Sequence, residues 1–195
     1  MAASRRDQGA SLIDVLVVLA IVATVTGISV PASGTYVDAG RARQAAAFVA
    51  SRFRLARIEA LNKAANVGVV FDLVDGRWSI RICRDGNRNG LRRADIRNGV
   101  DRCVDGPHRF SAMFPGVEIA VDPALRGPAG EPPSPDPVRF GTSDMASFSP
   151  NGTCTAGSLF LRTARAQQYA IRMAGVNGRL RVFRYDVGAR LWREP

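Results

Sequence analysis

The chain has 195 residues, 46% of them hydrophobic, with 27 basic against 17 acidic side chains and a formal net charge of +10. That length and apolar content exclude a disordered chain and leave room for one domain plus one further segment. A single histidine, His108, excludes a histidine-based metal cluster within one chain.

No Gly-x-Ser-x-Gly, paired-carboxylate or phosphate-loop pattern is present, so the expectation is a protein that is not an enzyme and uses no cofactor. Lys63 is the only lysine, and arginine carries almost all of the positive charge. Such a surface suits polyanions: nucleic acid, anionic lipid or acidic protein partners.

Residues 1–9 form a short polar leader holding Arg5, Arg6 and Asp7 and ending in Gly9. From Ala10 to about Val30 the chain is a nearly unbroken apolar run whose one ionisable side chain is Asp14. About 20 such residues span the hydrocarbon core of a bilayer as a helix. A carboxylate at mid-membrane costs about 2.5–3.5 kcal/mol, so Asp14 reads as functional. Two other readings of the same run stay open. One is an ordinary single-pass anchor, and the other is a secretory signal cut near Pro31-Ala32-Ser33. Arg5 and Arg6 place the leader in the cytoplasm and everything beyond residue 30 outside.

Pro31, Gly27 and Gly34 fall where this helix would leave the bilayer. Residues 37–65 read as an amphipathic helix, with Ala45, Phe48, Val49, Leu55, Ala56 and Ala60 near helical spacing. Arg43, Arg54 and Arg57 take the other side, while Arg41 and Arg52 fall within the apolar sector, to snorkel or to meet another subunit. The period then changes to two. Residues 67–73 and 78–83, joined by Asp75-Gly76, read as a hairpin. Further strands are expected at 117–121, 147–149, 158–162, 169–173 and 179–185, the last two joined by Asn177-Gly178. The proline-rich stretch 127–137 reads as an exposed loop.

Three motifs hold candidate sites. Cys83 and Cys103 bracket one loop and are the preferred disulfide pair in an oxidising compartment, against the alternative of three unpaired thiols with Cys154. Asp85, Asn87 and Asn89, followed by Gly90, have the alternate spacing of half a calcium loop. The second half fails, with Ile96 where a bidentate Glu belongs, so a Gly/Asn-rich hairpin tip is the plainer reading. Gly178-Arg179-Leu180-Arg181 would place Arg179 and Arg181 on one strand face, with Arg162, Arg165, Arg172, Arg190 and Arg193 and the aromatics Phe183, Tyr185 and Trp192 nearby. Arginine pairs clamp phosphates and aromatics stack on bases. The alternative is a solvated face in an arginine-rich chain.

The leader and apolar run together resemble the type IV prepilin signal: Gly9, Ser11, Leu12-Ile13, an acid at Asp14, then Val, Leu, Ile and Ala. The family usually has Phe or Met where Ala10 stands and Glu where Asp14 stands. Ala56-Arg57-Ile58-Glu59-Ala60, Gly76-Arg77-Trp78-Ser79-Ile80 and Phe148-Ser149-Pro150-Asn151-Gly152 resemble the GspH/FimT-type pseudopilins.

The resemblance implies cleavage between Gly9 and Ala10 by a prepilin peptidase, N-methylation of Ala10, and assembly with other pseudopilins or pilins at the inner membrane. Asp14 would neutralise the amine of a neighbouring subunit, since a pair in lipid costs far less than two lone charges. The implied fold is α+β: a leader 1–9, a membrane half 10–30 and an amphipathic half 31–65 of one helix, and a periplasmic antiparallel β-rich domain 66–195. The implied function is a minor pseudopilin of a type II secretion filament. The alternative is a FimT-like minor pilin binding DNA through Arg179 and Arg181.

Overall fold

The computed structural model describes residues 12–194, and of 25–36 the backbone alone. The chain divides into two units, Met1–Val37 and Asp38–Pro195. A single helix, α1 (Leu12–Lys63), supplies the described part of the first and opens the second. In the first unit Leu12, Ile13, Val15 to Leu19, Ile21 and Val22 are all exposed. Among the described residues no helix is long and apolar enough to cross a membrane. The expected anchor, 10–30, reaches beyond those residues at 10 and 11 and, for its side chains, at 25–30.

In the second unit α1 buries Ala42, Ala45, Ala46, Val49, Phe53, Ala56 and Ala60. Steps of three and four residues keep these on one stripe, and alanine lets sheet side chains approach the helix axis closely. Among the described residues ten strands follow: β1 (Val67–Val74), β2 (Arg77–Arg84), β3 (Arg102–Arg109), β4 (Val117–Glu118), β5 (Val138–Arg139), β6 (Met145–Phe148), β7 (Gly157–Thr163), β8 (Gln168–Met173), β9 (Leu180–Asp186) and β10 (Leu191–Arg193). Short helices α2 (Arg93–Arg97) and α3 (Phe110–Met113) flank β3.

One antiparallel sheet has the order β3-β2-β1-β6. The other has β10-β9-β8-β7-β4, with β5 also paired to β7. The α1 stripe shares one core with the inner faces of both sheets: Val67, Val69, Phe71, Ile80 and Ile82 from the first, and Leu159, Leu161, Tyr169, Ile171 and Met173 from the second. Phe53 is the hub. Its ring lies 6.2 Å from Phe71 and 5.5 Å from Phe140, both edge to face, and 6.3 Å from Phe148 at a tilt.

The hairpin at Asp75-Gly76 forms in unbroken register from Val67↔Arg84 to Val74↔Arg77. Asp75 (φ 51°) and Gly76 (φ 70°) both take the left-handed conformation that a type I′ turn requires. β1 is buried on both faces, because Val70 packs with Cys83 and Met145 under Leu91 and Ile96.

The structure departs from the sequence reading in three places. β3 has no strand pattern in the sequence, because Gly106-Pro107 interrupts it. It is a sheet edge, where a residue lacking an N–H is tolerated. The strand expected over 117–121 keeps its ladder only at Val117 and Glu118, although Ile119 and Val121 remain buried. β10 has no sequence signal either. It is three residues long and exists through its pairing with β9.

The stretch 127–137 is an exposed loop, as its composition suggests, but one tied down along its length. It lies as a strap on the outer face of the second sheet. Arg139 donates to the carbonyls of Asp136 (2.9 Å) and Ser134 (2.8 Å) while its guanidinium covers the Phe160 ring at 4.4 Å. Trp192 Nε1 donates to the Arg126 carbonyl at 2.8 Å.

Candidate functional site

Gly9 and Ala10 lie outside the described residues. Asp14 sits in the first turn of α1, where the helix dipole favours an acid, and it is exposed. Arg52 does not wait for another subunit. Its Nη1 meets Asp105 Oδ2 at 2.6 Å, and its guanidinium lies 4.6 Å over the Phe48 ring. Arg41 is exposed.

Cys83 and Cys103 face each other across β2 and β3 and are joined by a disulfide. Cys154 is free and half-buried. Burial pushes its thiol pKa up, against the opposing pull of Arg57, so the thiol stays neutral.

Around Asp85 the side chains close on the protein itself. One carboxylate oxygen accepts from the amides of Asn87 (3.1 Å) and Arg88 (2.7 Å). The other accepts from the Gly90 amide (2.8 Å) and from Asn66 Nδ2 (3.0 Å). Asn87 and Asn89 turn their Nδ2 groups onto Asp95, at 3.3 and 3.0 Å. Asp101, almost fully buried, accepts from the amides of Gly86 and Arg92, both at 3.0 Å. Among the described residues no group of three or more His, Cys, Asp or Glu side chains is placed to hold a metal ion. The geometry is that of a loop folded around two carboxylates, with the Asn side chains presenting donors to Asp95 rather than oxygens to a cation.

The arginines near the C-terminus do come together. β8 and β9 pair with Arg172 opposite Arg181 and Ala170 opposite Phe183. Ala170 and Phe183 pack on the outer face with Phe160 and Trp192, so Arg172 and Arg181 share that face. The connecting turn is held by Gly178 N–H to the Ala174 carbonyl (2.9 Å) and by the Arg179 amide to Asn177 Oδ1 (3.0 Å), with Gly178 at φ 62°. Arg179 therefore belongs to the turn, not to the strand, and reaches the same groove from its end.

That groove encloses about 360 Å³ and is lined by Pro128, Ala129, Arg172, Ala174, Asn177, Arg179, Arg181 and Phe183. Two acids border it. Arg172 is paired with Glu131 of the strap, and Arg181 Nε lies 3.3 Å from Glu194 Oε1. Burial opposes ionisation of Glu131. Its own and the Ala129 amide, Arg172 and the Ser158 hydroxyl outweigh this and hold its carboxyl below the usual range. Arg179 has no acidic partner among the described residues. The arrangement offers three guanidiniums and an aromatic edge to an anion.

Sequence spacing identifies Arg179 and Arg181 with Arg172 among the nearby arginines, and the β8–β9 register sets Arg172 opposite Arg181. Glu131 escapes the sequence reading, since the strap that carries it reads from composition as solvated.

No match was found among curated proteins or among solved structures. The family model described as type II transport protein GspH matches residues 45–177, from the buried stripe of α1 through the first sheet, the strap, β7 and β8 to the edge of the β8–β9 turn. The chain belongs to the GspH family.

Proposed function

We propose that the chain is a minor pseudopilin, a structural subunit of a type II secretion pseudopilus that supports protein export. The observation that carries this reading is α1, whose exposed apolar start precedes a stripe that anchors an antiparallel β domain of the GspH family.

On this reading a prepilin peptidase cuts between Gly9 and Ala10 and methylates Ala10, and residues 10–30 hold the subunit in the inner membrane. The C-terminal domain lies in the periplasm, where the Cys83–Cys103 disulfide is stable. Apolar helix segments pack against those of other pseudopilins, and Asp14 sets register by pairing with a neighbour's terminal amine. The test is Asp14→Val with filament incorporation as the readout. Reduced incorporation with normal membrane insertion is expected, and wild-type incorporation contradicts the assembly role.

A second reading is favoured by the groove at Arg172, Arg179 and Arg181. It is a minor pilin that binds DNA through guanidinium-phosphate contacts, with Phe183 available for stacking. Deleting the gene and measuring exoprotein release and natural transformation separately distinguishes the two. Loss of release alone supports the first, and loss of transformation alone supports the second.

A further inference from the structure

The β8–β9 turn has two sides. One borders the groove of Arg172, Arg179 and Arg181. The other borders a second groove of about 350 Å³, lined by Phe53, Arg54, Arg57, Phe148, Gly178 and Leu180. Arg54 and Arg57 stand three residues apart on α1 and so project to one side of the helix. The Arg57 guanidinium lies against the turn, because a Cβ placed on Gly178 would come within 3.0 Å of Arg57 Nη1. One residue along the chain from that point stands Arg179.

No acidic side chain pairs with Arg54, Arg57 or Arg179 among the described residues, so all three guanidiniums keep their charge for an outside anion. The neutral thiol of Cys154 beside Arg57 offers no compensating charge. Arginines without acidic partners are thus gathered on both sides of one turn.

We propose that Arg54 and Arg57 extend the basic groove across the β8–β9 turn, so that one nucleic-acid strand contacts Arg179 and Arg181 on one side and places backbone phosphates on Arg54 and Arg57 on the other. This rests on the DNA-binding reading above and assigns it a second set of phosphate partners, from the helix rather than the sheet. Leu180 and the edges of Phe53 and Phe148 give the helix-side groove an apolar floor beneath the guanidiniums.

The test uses the full chain in detergent micelles and fluorescently labelled single-stranded and double-stranded DNA of random sequence, with anisotropy followed against salt concentration. Removing one guanidinium-phosphate pair lowers the slope of log K against log salt by about 0.7 on single strands and about 0.9 on duplex. Arg54→Gln with Arg57→Gln is expected to lower the slope by about two such pairs and to weaken binding at least tenfold at low salt. Arg43→Gln, on an exposed arginine of α1 outside both grooves, is the control and is expected to leave the slope unchanged.

A wild-type slope in the Arg54/Arg57 variant, with binding abolished in Arg179→Gln/Arg181→Gln, overturns the extension and leaves the outer groove standing. No salt-dependent binding by the wild-type chain overturns the DNA-binding reading itself. If Arg57→Gln lowers the melting temperature, Arg54→Gln alone decides. A slope smaller by one phosphate pair supports the proposal, and an unchanged slope overturns it.

Discussion

Asp85 shows how a single carboxylate organises a loop that resembles a metal site in sequence. Burial opposes its ionisation, but Asn66 and the amides of Gly90, Arg88 and Asn87 together hold its pKa below the ordinary aspartate range. A lowered folded pKa means the unfolded chain binds the proton more readily. Stability from this group is therefore complete above the unfolded value, about 3.9, and is lost as pH falls through the folded value. Acid unfolding followed by near-UV circular dichroism should show this loss below about pH 4, and Asp85→Asn should flatten that limb. Identical acid limbs in the two proteins would contradict the role given to Asp85.

At the groove, Arg181 and Glu194 are both about half exposed, and such a pair contributes little to folding. Glu194→Gln should leave melting unchanged and, on the DNA-binding reading, tighten DNA binding roughly two- to fivefold, the scale of an exposed ion pair. Weaker binding in that variant would mean that Glu194 positions Arg181 rather than competing for it.

Among the elements, α1 and the β2–β3 ladder carry the clearest expectations. Phe53 is fully buried where helix and both sheets meet, so Phe53→Ala should cost about 3–5 kcal/mol in denaturant unfolding. A cost below about 1 kcal/mol would mean that the hub is misplaced. The disulfide closes a separation of 20 residues, and Cys83→Ser with Cys103→Ser should cost about 3 kcal/mol in the chain-entropy model.

What can be read from sequence is what local chemistry dictates. The alanine-rich stripe of α1 shows in its spacing, and the turns at Asp75-Gly76 and Asn177-Gly178 show in their residue types. β3 and β10 owe their existence to a neighbouring strand, which no local pattern reveals. The strap over the outer face is rich in proline, and its attachment through Glu131 and Arg139 depends on partners far along the chain. The same limit applies to the site. Arg179 and Arg181 are visible as a pair, but the approach of Arg57 to the Gly178 turn is a product of the fold.

At the scale of the whole molecule, membership of the GspH family and an α+β domain built on α1 support a filament subunit. In this proposal the β domain supplies the surface that distinguishes this subunit, including its arginine grooves, and the apolar start of α1 supplies the means of assembly. On the same proposal, assembly depends on the leader being removed after Gly9. In that proposal the cut frees the Ala10 amine, which Asp14 of a neighbouring subunit would neutralise. The most direct test is mass spectrometry of the N-terminus after expression with and without an active prepilin peptidase. The expected result is a chain beginning at N-methylated Ala10 with the peptidase and at Met1 without it. A start near Gly34, or an intact leader in the presence of active peptidase, would contradict the pseudopilin account.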